Sequence, residues 1–470
     1  MVRHAFIFGL LLALFLLLIT RNVSSEPYVY DEADYMYAAS LGFAANWSDT
    51  PSIPISDFAR AGLHRGHEAR RVLSERIRSG SDVLFYRHFH GPLYQYLLIP
   101  VSRLGLSERV VRTAMLGIPC ASLAVVYFGV WWLGAGAAAP LTSLLAAVLF
   151  LSSYSVIGST ELAPHQLFAL CSLASVILLL KAIATSDRRY WYAALVGAGL
   201  AFCTLEVAFV LILTLATCGW VERTRWRADG TFVTKSVGTF LATVLVIWPA
   251  AILRLSFLKA YAVMAYLALT REFSWGSAGF IDTWRARIFA SPLEWTLILA
   301  GVMMCIGNRR RNIYPVGLFA ALMLAATLRV FTNTPRYSLA FVPQLDLLAG
   351  LALVPSLGPL RRPASFAVLA LAVAGLYGSA WYQVFHQPHN PNPRSAAVQT
   401  YIHQNELENK AVLAPQADLP ALHYYFPGMR LRAYLGQEPT ASDLMGFAPD
   451  AILRADDAFF VPRPIAAIKR

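Results

Sequence analysis

The chain has 470 residues, of which 57% are hydrophobic and only 14% charged, a balance too apolar for a set of soluble domains. Its formal charge of +12 does not call for nucleic acid, because basic residues in a membrane protein first report topology and contact with anionic lipid or phosphate. Cys120, Cys171, Cys203, Cys218 and Cys305 lie in or beside apolar runs without CxxC spacing, which argues against a disulfide framework or a zinc site and for small buried hydrophobes.

Taken in chain order, apolar runs of helix-spanning length fall near 4–20, 110–132, 137–157, 165–183, 190–204, 206–220, 236–256, 293–307, 313–330, 338–356 and 364–384. They are continuous runs, not alternating ten-residue segments, so they predict helices and not barrel strands. The expected architecture is an all-α polytopic membrane protein with about 11 transmembrane helices. The run between Tyr190 and Trp220 is split in two because "CTLEVAF" places Glu206 in its middle, where a charge is costly unless it faces a turn or cavity.

With the amino terminus inside, the basic connections "KAIATSDRRYW", "VERTRWRADGTFVTK", "GNRRRN" and "GPLRRP" all fall on one side, which the positive-inside rule makes cytoplasmic. The first loop (21–109), "STELAPH", the loop from about Phe257 to Pro292, "FTNTPRYS" and the tail then lie outside. The expected location is the inner (plasma) membrane, multi-pass, with the chemistry extracytoplasmic. "VSS" before Glu26 is similar to a signal-peptide cleavage site, and the remaining topology is the same whether or not it is cut. Within the first loop, "FARAGLHRGHEARRVLSERIRSG" and "FYRHFHGPLYQYLLIPVSRLGL" read as helices lying in the interface plane. After "HQPHNPNPR" a helix near Ser395 to Asn409, a strand "AVLAP", a helix near Leu419 to Phe426, "MRLRAYL" and "DAILR" predict a small C-terminal α/β domain, so the expected division is 1–384 and 385–470. The tail carries no phosphate loop and is assigned to acceptor contact or scaffolding.

Directly after the first apolar run, "YVYDEADYMYAAS" sets Asp31, Glu32 and Asp34 within four positions. Acids at a helix start that face water are a sufficient account of Glu32 and Asp34. Asp31 follows Pro27, Tyr28, Val29 and Tyr30, which hold it at the interface, and partial desolvation there makes a carboxylate a better general base.

An amino-terminal span followed at once by "YDEADYMYAA", then "HGPLYQYLL", "GLAFCTLEVAFVLILTL" and "NTPRYSLAFVPQLDLLAG" in this order, resembles the integral-membrane GT-C glycosyltransferases. The branch it is most similar to contains the protein O-mannosyltransferases and the aminoarabinose transferase of lipid A, over residues 1–384. The resemblance implies a polyprenyl-phosphate-sugar-dependent hexosyl- or pentosyltransferase. It would move the sugar to an acceptor hydroxyl on a glycan, lipid or protein, with membrane lipids as further partners and no nucleic acid. It makes Asp31 the base and Glu32 the residue that orients Asp31 or the acceptor, and it puts Asp34, His90, Tyr94 and Tyr337 at the substrate. The chain departs from the family in having Gly91-Pro92 after His90. Glu161 or His165 of "STELAPHQ" stands where relatives carry an Asp, and Glu206 where some carry a Lys.

Expelling a polyprenyl phosphate puts charge on the leaving oxygen, which calls for fixed cations; Arg271, Arg285, Arg287 and Arg336 are the arginines outside near span ends. "IDTWRARIF" offers Trp284 and Arg285 together to a lipid headgroup. Without an HxH or DxD pair a divalent metal is possible but not indicated, and no cofactor beyond the lipid-linked donor is expected. The competing readings are a transporter or flippase for polyprenyl-linked lipid, against which the lack of an internal repeat counts, and a non-catalytic scaffold of envelope complexes.

Overall fold

The computed structural model describes residues 2–28, 30–43, 90–134, 139–226, 228–253, 258, 261, 284–285, 288–307, 313–327, 335–356, 363–386, 393–415, 418–434, 439 and 444–454. The described chain forms two compact units, one of Met1–Val23, Arg112–Ile247 and Leu267–His389, the other of Ser24–Val111, Trp248–Tyr266 and Asn390–Arg470.

The first unit is a bundle of apolar helices, and each of the apolar runs in the sequence contains one. They include Val2–Ile19, Gly117–Leu133, Ala139–Ser152, Pro164–Thr185, Arg188–Phe202, Phe209–Val221 and Gly230–Ile247. Pro292–Gly307, Tyr314–Thr327, Val342–Ser356 and Pro363–His386 complete the series. Lipid offers the backbone no hydrogen-bond partner, so an apolar run satisfies its own N–H and C=O groups by coiling. Among the described residues, Arg3–Asn22, Glu108–Leu133, Pro164–Thr185, Gly230–Ile247 and Ala367–His386 are long and apolar enough to cross a membrane. The protein is an α-helical membrane protein.

Local chemistry sets the helix ends. Pro164, Pro292 and Pro363 open their helices, where the missing N–H costs nothing and the fixed φ suits the first turn. The Pro164–Thr185 helix ends on Ser186 in the left-handed conformation (φ 59°), and the Asp187 side chain accepts from the Arg189 N–H at 2.9 Å to start the next helix. The break at Glu206 is real: Glu206–Ala208 forms one 3-10 turn between two helices.

Small residues let the helices approach. A β-carbon added at Gly350 would lie 2.6 Å from the Ala146 β-carbon and 2.9 Å from its α-carbon, and one added at Gly301 would lie 2.6 Å from the Ala349 α-carbon. In lipid, where apolar contact alone favours no particular partner, such close backbone packing is a main source of helix association.

The second unit holds Tyr30–Ser40 and Leu93–Ser102 from the first loop, together with the tail. The tail contains the helix Pro393–Gln404, β1 (Ala411–Pro415), the helix Leu419–Tyr425, β2 (Arg430–Tyr434) and β3 (Ala451–Ile452). The strands pair in parallel in the order β2-β1-β3, with Val412 opposite both Leu431 and Ala451. β1 is central and buried throughout, and Ile402, Val412, Leu422, Phe426 and Leu453 form the core between sheet and helices.

Candidate active site

In the second unit, Asp31 and Glu32 occupy the first turn of the Tyr30–Ser40 helix, where the helix dipole favours negative charge. Asp31 is half-buried, while Glu32 and Asp34 are 4% and 5% exposed. This corrects the expectation of a water-facing helix start: the two neighbours face protein, and Asp31 is the acid of the three that reaches solvent. The helix packs on Leu93–Ser102 through Tyr35, whose ring meets Tyr94 edge-on (5.7 Å) and His90 (5.9 Å). Tyr94 is buried, Gly91 and Pro92 are buried between His90 and the helix, and Pro92 caps it. Asp31, Glu32, Asp34, His90 and Tyr94 therefore share one small assembly.

The first unit gathers a second set. An Arg336 guanidinium nitrogen lies 3.5 Å from a Glu161 carboxylate oxygen, with the arginine side chain 14% and the glutamate 35% exposed. Another Arg336 N–H donates to the Tyr337 hydroxyl at 3.2 Å, and the guanidinium sits 5.0 Å from that ring's centre. His165 also meets Tyr337, edge-on with ring centres 5.1 Å apart. The segments that carry these residues are pinned by hydroxyls: Ser155 and Ser338 share a hydrogen bond (2.6 Å), and Thr160 donates to the Asn22 carbonyl (2.7 Å). Gln166 donates to the Ser159 carbonyl. Glu161, His165, Arg336 and Tyr337, drawn from two separate stretches of sequence, thus meet. Arg336 is already ion-paired, an arrangement its spacing in the sequence does not show.

Glu206 is buried at its 3-10 turn. Arg285 is exposed, with its guanidinium 5.8 Å from the centre of the Phe289 ring. Trp284, beside it, is partly exposed. The indole turns inward onto Trp295 (5.0 Å) and Phe341 (6.1 Å), because successive helical residues point about 100° apart. Arg271 and Arg287 lie outside the described residues.

The structure adds two acids that the sequence reading passed over. Asp346, in the Val342–Ser356 helix, is 0% exposed and neither carboxylate oxygen has a hydrogen-bond partner among the described residues; Glu294, 1% exposed, acts on it electrostatically. The signal was present, since "VPQLDLLAG" carries an acid inside an apolar run as "CTLEVAF" does.

No protein-family model matches the chain, and no curated protein sequence does. Solved structures do. ArnT from Cupriavidus metallidurans in the apo state aligns over 93% of this chain and 87% of its own with a TM-score of 0.57 at 13% identity. The same protein bound to undecaprenyl phosphate aligns over the same shares, at TM-score 0.57 and 14% identity. The archaeal oligosaccharyltransferase AglB from Archaeoglobus fulgidus, in complex with an inhibitory peptide and a dolichol-phosphate, aligns over 92% of this chain and 64% of its own at TM-score 0.55 and 13% identity. A helical membrane bundle whose acidic helix directly follows the first apolar helix, superimposing on both across nearly its whole length, has the fold of the GT-C superfamily glycosyltransferases.

Proposed function

We propose that the protein is a glycosyltransferase that moves a sugar from a polyprenyl-phosphate carrier to an acceptor hydroxyl on the extracytoplasmic side of the membrane. The observation that carries this is Asp31: on a GT-C fold, the acid in the first turn of the first helix after the first apolar helix is partly exposed, while Glu32 and Asp34 are buried. An acid that must take a proton from an incoming hydroxyl has to be reachable and also rigidly held. Glu32 and Asp34 supply charge and support from within. The likeness to ArnT holding undecaprenyl phosphate and to AglB holding a dolichol-phosphate supports a lipid phosphate as carrier.

In the reaction, the acceptor oxygen bonds to the sugar's anomeric carbon as the bond from that carbon to the phosphate oxygen breaks. Asp31 receives the hydroxyl proton, and the polyprenyl phosphate departs with the electron pair. The charge that develops on the leaving phosphate calls for fixed cations, for which Arg285 and Arg336, the latter beside Tyr337 and with His165 against that ring, are the candidates. Glu161, which now pairs with Arg336, gives way to the phosphate as it binds. The Lys- and Arg-rich connections support the sidedness.

The test is mass spectrometry of envelope glycans, glycolipids and glycoproteins from cells with and without the chain, beside binding of undecaprenyl phosphate to the purified protein in vesicles. A sugar that disappears with the chain, together with saturable binding, is the expected result. Unchanged glycans with altered sidedness of the carrier lipid would make the protein a flippase instead.

A further inference from the structure

We propose that Tyr425, in the carboxyl-terminal tail, is a positioning residue for the Asp31 helix, so that the tail is part of the catalytic apparatus and not only a site for acceptor contact. The proposal rests on the reading of Asp31 as the base. Tyr28, three residues before Asp31, donates its backbone N–H to the Tyr425 hydroxyl at 2.7 Å, and that hydroxyl donates to a Glu108 carboxylate oxygen at 2.8 Å. One side chain thus ties the entry of the Asp31 helix to the start of the helix Glu108–Met115.

The grip extends over both ends of the acidic helix. Tyr28 is 1% exposed and lies against two tail rings, edge-on to Tyr424 (5.5 Å) and stacked with Tyr425 (6.3 Å). Two turns beyond Tyr30, Tyr37 stacks on His423 with ring centres 5.4 Å apart and planes 27° apart. His423, Tyr424 and Tyr425 are consecutive, and the short helix that carries them is itself fixed by Leu419, Leu422 and Phe426 in the core of the sheet. Burial, and then the Glu108 carboxylate, push the Tyr425 hydroxyl's pKa upward, so it stays protonated and keeps donating. A parallel sheet that no step of the transfer needs is thereby joined to the one helix that the transfer cannot do without. A general base misplaced by about 1 Å can lose on the order of 10² in rate, and a hydrogen-bonded anchor three residues away is a means of preventing that.

The experiment uses the full chain. Tyr425→Phe keeps the ring and its stacking but removes both hydrogen bonds. In cells lacking the native chain it is expected to reduce the glycan product at least tenfold, while undecaprenyl phosphate binding in phosphatidylglycerol vesicles stays within about twofold. Amide exchange in the peptide around Tyr28 should quicken by tenfold or more. Glu108→Gln, which still accepts from Tyr425, should retain most product, whereas Glu108→Ala, which keeps the Tyr28 bond but loses the acceptor behind it, should fall between wild type and Tyr425→Phe. Wild-type product from Tyr425→Phe alongside an inactive Asp31→Asn protein would overturn the positioning role and leave the base reading intact. Product and carrier binding lost together, with early melting, would overturn it as well, because the residue would then be structural only. If Asp31→Asn is itself fully active, the base reading fails instead, and the exchange rate at Tyr28 decides the anchoring alone.

Discussion

At the scale of single residues, the three acids of "YDEAD" separate by environment. Asp31→Asn keeps the outline and removes the basic oxygen, so product formation should fall by about 10² to 10⁴ while undecaprenyl phosphate binding survives; an Asn variant that transfers at the normal rate would leave the acids as a helix start and nothing more. Arg336 makes the opposite prediction. Arg336→Ala removes a charge-assisted contact worth on the order of 2 to 3 kcal/mol and should weaken carrier-phosphate binding roughly a hundredfold. Glu161→Gln removes the anion that competes for the same guanidinium. Since a partly exposed ion pair contributes up to about 1 kcal/mol, binding should tighten by up to about fivefold. Titration of both variants with undecaprenyl phosphate checks the pair, and equal affinities would return Arg336 to interface anchoring.

At the scale of elements, two contacts carry predictions. Gly350 lies where two helices touch backbone to backbone, so Gly350→Val should cost about 1 to 3 kcal/mol and lower the melting temperature in detergent. Gly317→Ala, with nothing within 4 Å of the added carbon, is the control and should change little. In the tail, burial lowers the His423 pKa from 6.5 to about 4. The folded state thus excludes a proton that the unfolded chain accepts below its own pKa near 6.5. Stability is independent of this group above that pH and falls as pH drops from 6.5 towards 4, because the unfolded chain takes up the proton that the folded chain, with His423 still neutral against Tyr37, does not. Melting curves across that range should show the loss, and His423→Gln should flatten it. An undiminished slope in the variant would assign the pH dependence to other groups.

At the scale of the whole molecule, sidedness follows from charge placement. Single cysteines at Ser40 and Gln404, both exposed, should react with a membrane-impermeant thiol reagent in intact cells, and one at exposed Arg225 should not. The reverse pattern would invert the orientation and move Asp31 to the cytoplasm. The helices were legible in the sequence because lipid leaves an apolar run no choice but to coil, and Glu206 marked its break because a buried charge is costly. That an acidic helix start follows the first apolar helix was legible because it is a local feature of the sequence. What the tertiary structure alone decided is everything that depends on residues far apart meeting. Glu161 finds Arg336 across 175 positions, and Glu32 and Asp34 are buried away from solvent. Tyr425 reaches Tyr28 from the far end of the chain. Composition and spacing constrain each segment's own backbone, whereas which side chains share a pocket is set by how the segments pack, and that is a property of the whole sequence acting at once.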